Sequence, residues 1–152
     1  MTAVSNGGLS NDKEIEISYD TEHGIRVLAA AGGVDETLDR LEELAKKHGM
    51  TIFARINFAR DAAAAGLKMQ PTQLLILGNP AGGTPLMVAA PGAALDFPLK
   101  VAAWQDGADR CWVSYNTPEY LQQRHGFPAA LIANIAGLEK LVQAAITASG
   151  PV

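Results

Sequence analysis

The stretch of this 152-residue chain best suited to holding a ligand is ILGNPAGGTPLM, residues 76–87, where an apolar run passes through a Gly/Pro turn into a helix start. Gly78, Gly82 and Gly83 let the backbone bend and approach a ligand closely, and the free N–H groups of a helix start favour negative charge. The same residues have a plainer use: Thr84 caps a helix, Pro85 takes its first position, and the turn simply ends a strand. Pro85 also removes one donor that a phosphate would use. The glycines are not followed by Lys-Ser/Thr and lack Gly-x-Gly-x-x-Gly spacing, so nucleoside triphosphate chemistry is excluded.

An anion at this turn needs cations. Arg55 and Lys100 lie in strand-like segments among apolar neighbours, so each snorkels, pairs with an acid or faces a ligand. If they meet near Gly82 to Thr84, then Arg55, Asn79, Gly83, Thr84 and Lys100, with Tyr115 nearby, make a pocket for a small anionic or polar molecule. If they do not, they are edge and surface charges.

Other reactive groups are sparse. His23, His48, His125 and Cys111 are the soft metal ligands, and none is paired at ligand spacing, so no metal site is expected. Each histidine precedes a glycine, and KKHG and QRHG read as helix C-termini, where His meets the dipole and Gly takes the left-handed turn. Cys111 alternates with Val113 and Tyr115 on one strand face, the usual place for an inert thiol. Ser114 lies on the opposite face without a Gly-x-Ser-x-Gly elbow. The acids Asp35, Glu36, Asp39, Glu42 and Glu43 form the solvated face of one helix, whereas Asp96, among apolar neighbours, is expected to cap or brace a strand.

The elements that must position these groups follow from periodicity. Residues 1–13 are polar and read as a flexible tail, and 14–148 as one domain. EIEISYD and IRVLAA are strands joined as a hairpin; GGVDETLDRLEELAKKHG holds a helix with Leu38, Leu41, Leu44 and Ala45 on one stripe, early acids and late lysines, ending at Gly49. MTIFARINF alternates, with Ile52, Ala54, Ile56 and Phe58 on one face and Phe53, Arg55 and Asn57 on the other. ARDAAAAGLKM is a short helix closed by Gly66. QLLILG, nearly all apolar, is a strand covered on both sides or one at an oligomer contact. FPLKVAAWQ and RCWVSYN form a hairpin around Asp106-Gly107. NTPEYLQQRHG is a helix entered at Asn116 with Glu119 as its capping-box partner, and FPAALIANIAGLEKLVQAAI is one long helix with a stripe of Leu131, Ile135, Leu138, Val142 and Ile146. Strands and helices in mixed order give an α+β fold, a largely antiparallel sheet with helices on one face.

Composition narrows the function. Twelve basic residues against sixteen acidic ones give a net charge of -4. The basic residues are scattered, without the footprint of a nucleic-acid binder. The stretch from Phe127 to Ile146 is interrupted by Asn134, Glu139, Lys140 and Gln143, so no membrane span is expected, and with neither a signal sequence nor a second cysteine the expected setting is cytoplasmic.

In QPTQLLILGNPAGGTPLM, LDFPLKVAAW and WVSYNTPEYLQQRHG the chain resembles the family catalogued as domain of unknown function 302, over about residues 24–146. The resemblance implies a compact α+β fold akin to the TATA-box-binding-protein half-domain, commonly dimeric, with no assigned activity or cofactor and no implied DNA binding. It also adds His125 to the candidate ligand-binding residues. Members often read F-A-R-I-D-H-A where this chain reads FARINFA, so Asn57 and Phe58 replace an Asp and a His that could exchange protons. Three functional readings follow: a dimeric binding module for a small anionic or polar ligand, a structural or protein-interaction domain whose apolar surplus covers a second copy, and an enzyme using His125, Tyr115 or Cys111.

Overall fold

The computed structural model describes residues 17–20 and 23–148; the tail at 1–13, the first residues of the segment 14–20 and part of the TEHG turn lie outside them. Six antiparallel strands form one sheet in the order β1-β2-β6-β5-β4-β3. They are β1 Ile17–Asp20, β2 Ile25–Ala30, β3 Thr51–Asn57, β4 Thr72–Gly78, β5 Leu99–Gln105 and β6 Cys111–Asn116. The helices are α1 Val34–Lys47, α2 Phe58–Ala64, α3 Pro80–Ala89, α4 Pro118–His125 and α5 Gly137–Thr147, with short 3-10 helices at Pro91–Leu95 and Ala129–Asn134.

The strand alternation sends one set of side chains into a single core. Leu28, Leu75, Leu77, Val101, Val113 and Tyr115 point inward and meet Leu38 and Leu41 of α1, Leu86 of α3, Leu121 of α4 and Leu138, Val142 and Ile146 of α5. The helices that bury side chains therefore share one face of the sheet; α2 buries none. The opposite face carries the other half of each alternation, with the pairs Leu74–Ala102, Ala102–Ser114 and Trp104–Trp112 across neighbouring strands, all half-buried. The apolar β4 is thus two-sided, as its sequence suggests, but only its inner face is fully covered.

Four local expectations are corrected. The alternation of β3 breaks at a bulge between Ile52 and Ala54, so Ile52 packs on the core while Ala54 and Ile56 take the outer face and Phe53 is left half-exposed. Helix α3 begins a full turn earlier than Thr84-Pro85: Asn79 caps it and Pro80 holds the first position, because an Asn-Pro pair offers the same entry chemistry as Thr-Pro. Helix α4 is capped by Thr117, whose hydroxyl accepts from the Tyr120 N–H, and not by Asn116. The long C-terminal helix is two elements broken at Ile135-Ala136, where Asn134 turns aside to donate its side-chain amide to the Gly82 carbonyl at 3.1 Å. Ala129–Thr147, the one described stretch long and apolar enough to cross a membrane, is this divided segment, and its second half is buried against α1 and β2.

Candidate functional site

A cavity of about 590 Å³ opens at one end of the sheet, where β4 ends, β5 begins and β3 starts. Its walls are apolar: Met50 and Phe53 from the start of β3, Met87 from α3, Phe97 from the segment before β5, and Leu138 and Leu141 from α5. Local sequence makes each wall. Gly49, at φ +77, ends α1 and turns the chain toward Met50; the β3 bulge leans Phe53 over Gly78, where an added Cβ would lie 3.8 Å from its ring. Polar groups are confined to a few positions, Asn79 and Thr84 on α3, Asn134 before α5, and His48 and Lys140. All five are largely exposed, so they edge the cavity.

The glycine turn therefore does border a pocket, but as a helix and not as an anion loop. Gly82 and Gly83 N–H both donate to the Asn79 carbonyl, at 2.9 and 2.8 Å, and the Asn79 side chain accepts from Ala81 N–H at 3.0 Å. The donors a phosphate would use are already engaged. Gly82 is required by packing, since a Cβ there would sit 2.9 Å from the Asn134 carbonyl oxygen. Gly83 faces the cavity with its nearest neighbour, Met87, 4.0 Å from where a Cβ would be.

Of the expected ligand residues, the structure brings together Asn79, Gly83 and Thr84 and separates the rest. Arg55 points inward from β3 onto α1, donating to Asp39 and Glu42 and, through Nε, to Gln73 at 2.8 Å. Lys100 lies on the outer face and donates to the Pro98 carbonyl at 3.0 Å. Tyr115 is buried beneath α5, accepting from Arg26 and facing Glu139, and burial raises its phenol above the usual value. His125 bonds Asp96 at 2.5 Å, and Arg124 bonds the same carboxylate at 3.0 Å, so Asp96 braces α4 against the segment leading to β5. Cys111 is buried, and burial raises its thiol, leaving it protonated and unreactive.

The residues missed in the sequence are His48, Lys140, Asn134 and the apolar wall. His48 does end α1 as KKHG suggests, its Nδ1 bonding the Leu44 carbonyl at 2.8 Å, which leaves Nε2 unengaged among the described residues. Lys140 was visible only as an interruption of an apolar run. A cavity built from five elements distant in sequence has no local signature.

A family model described as "Domain of unknown function DUF302" matches residues 26–147. Two curated proteins, "Fluoride-specific ion channel FluC 1" of Brucella suis biovar 1 and of Brucella abortus biovar 1, are each 35% identical over 131 residues, 86% of this chain. The match takes in 49% and 46% of those proteins, so the chain spans about half the length of the curated relatives it matches. The crystal structure of an uncharacterized conserved DUF302 protein from Bacillus stearothermophilus has the same fold, with a TM-score of 0.67 at 21% identity over 81% of this chain and 95% of that one.

Proposed function

The chain belongs to the DUF302 family, and from that footing we propose that it is a binding domain whose cavity between α3, α5 and the ends of β3, β4 and β5 takes a small molecule with a largely apolar body. The observation that carries this reading is the pairing of size and lining. About 590 Å³ lies within the roughly 300–1,000 Å³ typical of small-molecule sites, which are apolar with a few placed polar groups. At about 30 Å³ per atom, the volume one water occupies, it holds up to about twenty non-hydrogen atoms.

The reactive groups favour binding over catalysis. Tyr115, His125 and Cys111 lie away from the cavity, each in its own structural contact. The channel activity named for the Brucella relatives belongs to longer proteins, of which the match takes in about half.

Blocking the cavity without unfolding the protein tests the proposal. Gly83→Leu adds a side chain to the cavity wall and gains most of the roughly 0.8–1 kcal/mol that separates Gly from Ala in a helix, so the variant should fold at least as well as the parent. Small apolar ligands should raise the melting temperature of the parent in a concentration-dependent way and leave Gly83→Leu unmoved. Equal shifts in both proteins would place binding elsewhere.

Self-association is part of the same proposal, with the outer sheet face as the contact and a second copy as its occupant. Val27, Ile56, Leu74, Ile76, Trp104 and Trp112 line that face, with Lys100 the charged side chain among the inner strands and its ammonium drawn to Pro98. The same face on another copy supplies a self-complementary apolar partner, as a two-fold contact requires. Sedimentation should give twice the 16.0 kDa chain mass, and Ile76→Glu should halve it with unchanged circular dichroism. A monomeric parent would remove the outer face from consideration.

A further inference from the structure

Resting on the cavity reading above, we propose that the ligand is an organic monoanion, an apolar body ending in one carboxylate-type group, oriented with that end at Lys140 and His48. The charge distribution of the cavity supplies the argument. The chain as a whole has sixteen acidic and twelve basic residues, yet among the described residues the cavity lining contains Lys140 and His48 and not one Asp or Glu. Lys140 is exposed at the edge and makes no ion pair or hydrogen bond among the described residues, while Arg55, Lys100 and Arg124 are all engaged with protein oxygens.

The cation and part of the apolar wall come from the same turn of one helix. Leu138 and Leu141 of α5, three residues apart on one face, line the buried wall, and the exposed Lys140 borders the same cavity at its edge, within reach of the end group of an apolar body seated on that wall. His48 adds an unengaged ring nitrogen at the same edge, since its Nδ1 is already bonded to Leu44. Asn79, Thr84 and Asn134 offer neutral hydrogen-bonding groups and no negative charge. A cationic end group finds no carboxylate partner among the described lining residues, and a neutral one gains no ion pair from Lys140.

Matched ten-carbon probes separate this proposal from the cavity reading. Decanoate, decanol and decylamine share a body and differ in the end group. Titration calorimetry at low salt should rank decanoate above decanol by about fivefold, the equivalent of a favourable exposed ion pair. Decylamine should bind least. Lys140→Glu, an exposed change that should leave folding intact, should remove the preference for decanoate and favour decylamine. Equal binding of decanoate and decanol, with no effect of Lys140→Glu, would overturn the anion assignment while leaving the cavity reading standing. If none of the probes binds, or all bind Gly83→Leu as well as the parent, the cavity reading itself fails. Vesicles of anionic phospholipid provide the remaining arm: co-sedimentation with vesicles without binding of free decanoate would overturn the assignment of a free ligand in favour of a lipid surface.

Discussion

Asn57 illustrates how a residue that could have marked chemistry is accounted for by geometry. Its side chain accepts from the Arg60 N–H at 3.0 Å and caps α2, a task an aspartate performs equally well. Asn57→Asp should therefore leave stability nearly unchanged, and Asn57→Ala should cost about 1 kcal/mol by urea denaturation. Asp106 has a pH-dependent role. It accepts from the Trp112 indole N–H, the largest influence, and from the Arg110 N–H, and these hold its carboxyl below the usual 3.8. A depressed folded-state value means that its contribution is present above 3.8 and is lost as the pH falls through the lowered value. Asp106→Asn should flatten the acid limb of the stability profile below about pH 4, read by denaturant midpoints at successive pH values. Cys111, kept protonated by burial, should react with a thiol reagent only as fast as the protein opens, and a fast native-state reaction would contradict its placement.

At the scale of elements, side chains between a helix and its strands decide what sequence periodicity leaves open. Arg55 on β3 joins Asp39 and Glu42 of α1, while Gln73 of β4 donates to Asp35 and accepts from Arg55. Replacing Arg55 with Met leaves the buried Gln73 side-chain oxygen without its donor and should cost about 1–3 kcal/mol, with α1 the first helix to lose amide protection. Gly82 is the corresponding point between α3 and the Ala129–Asn134 turn, and Gly82→Ala should destabilise by more than the roughly 0.5–1 kcal/mol that helix propensity would return. Element identity was largely legible: α1 through its stripe and charge order, β4 through its apolar run, β5 and β6 through the Asp106-Gly107 turn between them, and α4 through Gly126 at its end. What escaped were features set by contact between distant segments. The β3 bulge is a register shift against β4 and the break before α5 goes with the closeness of Gly82 to Asn134, neither of which a window of neighbouring residues contains; the early start of α3 differs, being a local Asn-Pro entry ahead of the Thr-Pro one. For the same reason the sequence picked out Asn79 to Thr84, which border the cavity, but grouped them with Arg55 and Lys100, which the structure holds in other contacts.

For the whole molecule, the arrangement separates its two ends of interest. The cavity lies where α1, β3 and β4 meet the start of α5, whereas both limits of the described chain return to β2. Ile17 pairs with Leu28, and the Ala31 N–H donates to the Ile146 carbonyl at 2.8 Å. A domain built this way should accept a change of connectivity. Joining Ala148 to Ile17 by a short flexible linker and opening the chain at the exposed Gly107 turn of the β5–β6 hairpin would give a circular permutant with the same sheet order. Its ligand response should match that of the parent, because neither the new junction nor the new opening touches the cavity. The fold can thus be grafted onto a larger chain through one side while its pocket stays in the open on the other.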